Sequence, residues 1–158
     1  MELTELKIEY DSLQKKYNLP AFDEMNRIFD IGKIERDSGN LIRDIRRLAV
    51  EKIAHYLRLM ELMQNPSQAS PMFLMLLKEV NAADKQILDT VFSVFIEIEL
   101  SSYKLDVDST DKDEAEFIKK VYIIWNSNRT NLTGLLSILE RNWKNMAVRN
   151  NKSRDYFN

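Results

Sequence analysis

Few residues in this chain have types and spacings that could do chemistry, and each implies a different reaction. Glu51 and His55 stand i, i+4, which puts two potential metal ligands on one helical face. A carboxylate-bridged di-metal bundle needs Glu-x-x-His twice, with two further glutamates. His55 is the only histidine and has a different spacing, so neither that metal centre nor any other cofactor is expected. The run DVDSTDKDEAEF, from Asp106 to Phe117, alternates oxygen-bearing side chains as a calcium loop does. Such a loop wants Gly at its sixth place and Glu at its twelfth. Asp111 and Phe117 stand there instead, and helix capping accounts for the acids better.

Nucleophilic catalysis finds no support, because cysteine is absent and no serine has a local histidine. Three scattered glycines cannot build a phosphate-cradling loop. The chain therefore reads as a non-enzyme.

Two features remain, both on the segment Asn40–Gln64. At 100° per residue, Leu41, Ile45, Leu48, Ala49, Ile53, Tyr56, Leu59, Met60 and Met63 share one face. Lys52 falls at the centre of that arc, where a charge needs a partner or an exit to water. Glu99 and Glu114 are misfits in the apolar stripes of later helices, and Asn128 is another. The simplest solution is a partly buried ion pair of Lys52 with Glu99 or Glu114, fixing helix register more than stability. The opposite face carries Arg43, Arg46, Arg47 and Arg58, with Val50, Ala54 and Leu57 among them. Arginine mixed with apolar residues suits a protein contact surface. Phosphate binding is the second use, and a solvated face paired with nearby acids is the bland one.

These residues need helices to position them. Leu3, Leu6, Tyr10, Leu13 and Tyr17 step by three and four, a narrow seam that either packs on the bundle or meets a second copy as a homodimer through residues 3–17. After Leu19-Pro20 a short helix turns Phe22, Met25, Ile28 and Phe29 inward, and Ile31 and Ile34 tuck under the bundle. Asn40 or Ser38 caps the arginine-bearing helix, and Asn65-Pro66 ends it. Ser70-Pro71 opens a short apolar helix, and Asn81 or Asp84 opens the fifth, which runs to about Tyr103. Thr110 and Asp113 form a capping box for a last helix from about Lys112 to Asn145. Phe117, Val121, Trp125, Leu132, Leu136, Leu139 and Trp143 hold one azimuth along it. This predicts an all-α fold: one domain over 1–148, a bundle of five to six helices with long antiparallel helices in its core, and a flexible polar tail over 149–158.

Composition agrees. The 158 residues are 44% hydrophobic and 30% charged, with few turn-forming residues, as in an ordinary globular helical protein. No apolar run reaches the roughly 20 residues that cross a bilayer, and the N-terminal segment does not read as a secretion signal. A cytoplasmic location without membrane contact is expected. Net charge is −2, but Asp106 to Glu116 holds six acids against Lys112, and Arg129 to Asp155 holds six bases against two acids. That balance disfavours a dedicated nucleic-acid binder while leaving local patches.

The run LPAFDEMNRIFDIGKIE followed by LIRDIRRLAVEKI, with Glu114 to Ile118 and Trp125 later, resembles a family of small, all-helical, uncharacterised archaeal proteins. The resemblance covers Leu19 to Trp143 and implies the same helical fold. A weaker likeness is to the helical domain of the archaeal GINS replication proteins, carried by Arg46, Arg47, Lys52 and Ile53. It implies a nucleic-acid-associated accessory factor. Together these readings predict a helical scaffold or protein–protein interaction protein with an unidentified partner.

Overall fold

The computed structural model describes residues 3–35, 39–78 and 80–155. They form six α-helices: α1 Leu3–Tyr17, α2 Phe22–Phe29, α3 Leu41–Gln64, α4 Pro71–Leu76, α5 Ala82–Val107 and α6 Asp111–Asp155. Short 3-10 turns at Ile31–Lys33 and Pro66–Gln68 complete the regular structure, and there is no strand among the described residues. The fold is all-α.

Helix starts follow side-chain chemistry. Asn40 Oδ1 accepts from the Arg43 amide, Ser70 Oγ from the Phe73 amide and Asn81 Oδ1 from the Asp84 amide. Each satisfies a backbone donor that the first helical turn leaves unpaired. Ser38, the alternative cap for α3, lies outside the described residues. At α6 the capping box is reciprocal: the Asp113 amide donates to Thr110 Oγ1 at 3.3 Å, and the Thr110 amide donates to Asp113 Oδ2 at 2.9 Å. Hydrogen bonds from Thr110 hold the Asp113 carboxyl below its ordinary range.

The chain packs as two compact units, Met1–Leu57 with Val94–Ser127 and Arg58–Ser93 with Asn128–Asn158. In the first unit, Leu6 and Tyr10 of α1 are buried, and the Tyr10 hydroxyl donates to the Pro20 carbonyl at 2.7 Å. Burial pushes that phenol's pKa up. Phe22, Met25, Ile28, Phe29, Ile31 and Ile34 are all buried, as their spacing predicts. Trp125 gathers the aromatic core, with Phe29, Tyr56 and Phe95 rings 6.3, 5.4 and 6.4 Å from its own. Such pairs each add about 0.5–1.5 kcal/mol beyond area burial.

The α3 face in this unit differs from the expected one. Leu41, Ile42, Ile45, Arg46, Ala49, Ile53 and Leu57 are buried, which turns the buried arc by roughly 45° at 100° per residue. Lys52 moves to the margin and Arg46 moves inside.

In the second unit, Met60, Met63, Leu88, Val91, Leu132, Leu135, Ile138 and Leu139 form the core. Trp143, expected in line with Trp125, is 50% exposed, and Asn142 is buried in its stead. Asn142 Nδ2 donates to the Leu76 carbonyl at 2.6 Å. That carbonyl ends α4 and has no backbone donor among the described residues, so a polar side chain is better placed there than an indole. Helix α6 runs on to Asp155 instead of stopping near Asn145, and its residues 147–152 are exposed. Residues 156–158 lie outside the described part.

Candidate partner-contact surface

The four arginines of α3 have separate fates. Arg46 is the most deeply buried charge, at 1% exposure, and Glu114 of α6 is buried to the same degree. Arg46 Nε and Glu114 Oε2 form an ion pair at 2.5 Å, in a geometry too bent for a hydrogen bond. The rest of the guanidinium is covered: it donates to Ser102 Oγ at 2.6 Å and pairs with Asp106 Oδ1. Glu114 Oε1 accepts from Ser109 Oγ at 2.7 Å. The arrangement joins α3 to both ends of the α5–α6 connection. A buried pair of this kind gains little net stability, but removing one partner is costly.

Arg46 is therefore a structural cation and not a residue of the outer face. Glu114 is the buried acid the sequence singles out, but its partner is Arg46 and not Lys52. Arg43 is exposed, with its Nε 3.7 Å from Glu114 Oε1. Arg47 is exposed and lies 3.7 Å from Asp44 Oδ1. The groove of about 530 Å³ beside Arg46 and Arg47 also carries Glu51, Glu99 and Asp106. Three carboxylates among two arginines make a mixed surface, not a positive one.

Lys52 is half-buried and sits over the Trp125 ring, 5.4 Å from its centroid. A desolvated cation–π contact contributes about 0.5–2 kcal/mol, which answers the need for a partner without an acid. Glu99 is half-buried and accepts from the Tyr103 hydroxyl at 3.4 Å, one turn along α5. Asn128 is half-buried on α6. His55 is exposed with its ring edge-on to Tyr56. No group of three His, Cys, Asp or Glu side chains that could hold a metal exists among the described residues. No described helix is long and apolar enough to cross a membrane.

Arg58 belongs to the second unit and has no carboxylate partner among the described residues. It lines a cleft of about 700 Å³ with Leu62, Phe92, Glu61 and the amide side chains of Gln64, Asn65 and Gln68. Gln64 Nε2 donates to Asp89 Oδ1 at 2.8 Å and also walls a second groove, of about 520 Å³. That groove is lined by Met63, Pro66, Leu77, Val80 and Leu88, with Lys85 and Asp89 at its polar side.

Helix α4 starts at Pro71 behind a Ser70 cap as expected, but its exposure is not foreseen: none of its side chains is buried, and Met72 and Met75 are 57% and 47% exposed. The available signal was its length: six residues that begin at Pro71 and end at Leu76 give too short a helix to bury both sides. Of the four arginines, Arg46 is thus withdrawn from the outer face. Arg43, Arg46 and Arg47 are matched by the chain's own acids, and Arg58 opens on a cleft. Comparison of the chain with protein-family models, with curated proteins and with solved structures gives no match.

Proposed function

We propose that this chain is a non-catalytic helical interaction protein that meets its partner through the Arg58 cleft. The observation that carries the reading is the difference among the arginines. Arg58 alone of the four forms no ion pair among the described residues, and it stands beside half-buried Leu62 and Phe92 in a cleft of about 700 Å³ that Glu61 also lines. Arginine with an aromatic and an aliphatic neighbour is the composition of interface hot spots. A cytoplasmic location goes with the reading. The proposal does not use residues 3–17 as a dimer seam, since Leu6 and Tyr10 of that seam already pack inside the first unit.

Affinity purification from the native host tests it. A partner recovered with the wild-type chain is expected to be lost with Arg58→Glu and kept with Arg43→Glu/Arg47→Glu. Recovery unaffected by Arg58→Glu refutes the reading. A nucleic-acid role of the kind implied by the GINS likeness predicts the opposite pattern. It would appear as binding that weakens steeply with salt and depends on Arg43 and Arg47, and it must overcome Glu51, Glu99 and Asp106 in the adjoining groove.

A further inference from the structure

We propose that the outer face of α5 is a self-complementary seam on which a second copy of this chain docks antiparallel. The seam lies wholly within the first unit, and the inference does not depend on the Arg58 reading.

Helix spacing makes the seam. Ile96, Leu100, Tyr103 and Val107 step by four, three and four, and at 100° per residue they fall within about 60° of one another. The buried row of the same helix, Phe95, Ile98 and Ser102, lies roughly 140° away. Ile96 is half-buried, while Leu100, Tyr103 and Val107 are 56%, 59% and 87% exposed. The Asp108 amide donates to the Lys104 carbonyl, so the last turn keeps Val107 in line. The other large apolar side chains exposed in this unit, among the described residues, are scattered. Leu3 and Ile8 stand about 140° apart around α1, and Ile123 stands alone on α6. Scattered exposure is ordinary, but an unbroken row at coiled-coil spacing marks a contact face.

Two-fold symmetry selects the occupant. In an interface between identical copies, residue i meets residue j and j meets i. Laid antiparallel about the middle of the seam, Ile96 meets the partner's Val107 and Leu100 meets the partner's Tyr103, so no seam residue is left over. The same operation sets exposed Glu97 opposite the partner's Lys104, twice per dimer. Neither residue has an ion-pair partner in its own copy among the described residues. The other flank carries Glu99 and Asp106, which belong to each copy's own network. Asp106 pairs with Arg46, and Glu99 accepts from the Tyr103 hydroxyl.

Charge also sets the direction. Asp106 to Glu116 holds six acids against Lys112 at the turn that follows the seam. Parallel packing would bring both acidic turns to one end, whereas antiparallel packing puts them at opposite ends and opposes the two helix dipoles. Four side chains expose on the order of a few hundred Å² per copy, less than the roughly 800 Å² per partner of a standard stable interface. The dimer is therefore reversible and concentration-dependent.

Sedimentation of the full chain from about 1 μM to 1 mM tests the proposal. A dimer is expected to build up over that range, and Leu100→Glu, at an exposed site, should weaken it about tenfold or more with an unchanged circular-dichroism spectrum. Lys104→Glu should also weaken it, and Glu97→Lys/Lys104→Glu should restore it, because the charges are exchanged across the same two-fold axis. In a parallel dimer Lys104 faces the partner's Glu99, and the exchange restores nothing. Cysteine is absent, so cross-linking reads the direction cleanly. Ile96→Cys copies mixed with Val107→Cys copies should form a disulfide. Val107→Cys copies alone should not, since their thiols are offset along the seam by about 16 Å. A chain that stays monomeric over the whole range, a dimer indifferent to Leu100→Glu, a charge exchange that fails to restore association, or efficient cross-linking of Val107→Cys with itself overturns the proposal.

Discussion

The two units treat the same kinds of residue in opposite ways. The first unit gives its three α3 arginines carboxylates and gathers the rings of Phe29, Tyr56 and Phe95 about Trp125. The second leaves Arg58 without an ion pair among the described residues and buries none of the α4 side chains. Both draw on α3, so one helix carries a cation that holds the fold and another that the proposed function assigns to a partner. Identical residue types on one helix thus say little about role until the opposing helices are known. What separates Arg46 from Arg58 is not local sequence but Ser102, Asp106 and Glu114, more than fifty residues along the chain.

The contrast can be broken at its strongest points first. Trp125→Ala removes the centre of the first unit's aromatic core and is expected to cost about 3–5 kcal/mol, read by urea denaturation. Glu114→Ala should cost a similar amount, because Arg46 is left buried opposite no acid. The double variant Arg46→Met/Glu114→Met should return most of that loss. Failure of the double variant to recover would mean that the pair does more than neutralise itself.

In the second unit the effects are smaller. Asn142→Ala frees the Leu76 carbonyl and should cost about 1–2 kcal/mol, with the loss seen as faster amide exchange in α4. Smallest is Thr110→Ala, about 1 kcal/mol from the lost cap. It also tests a pH dependence. Thr110 lowers the folded-state pKa of Asp113, so the associated stability is present above the unfolded carboxylate pKa. It fades as pH falls through the lower folded value. Thr110→Ala should flatten that acid limb, and an unchanged limb would assign it to other carboxylates.

Local chemistry made much of this fold legible. Asn40, Ser70, Asn81 and the Thr110/Asp113 box begin helices where hydrogen-bonding side chains precede apolar runs. The inward set of α2 follows from spacing alone. The rotation of α3 did not, because its apolar residues span so wide an arc that Leu48 and Leu59 weigh as much as Ile42 and Leu57. Burying Arg46 tips that balance, and it becomes possible only when Glu114 arrives from α6. The Lys52 misfit was visible, but its answer was an aromatic face and not an acid. Trp143 was misplaced for a similar reason: periodicity cannot show that the end of α4 needs the amide of Asn142.

The central claim, that α3 uses one arginine to hold the fold and leaves another for a partner, is tested most directly by making the same substitution at both. Equilibrium urea unfolding of Arg46→Ala and Arg58→Ala compares them on one helix. The account predicts a loss of about 3–5 kcal/mol for Arg46→Ala, from the stranded Glu114 carboxylate, and a change within about 0.5 kcal/mol for Arg58→Ala. Equal losses, or a larger loss at Arg58, would contradict it.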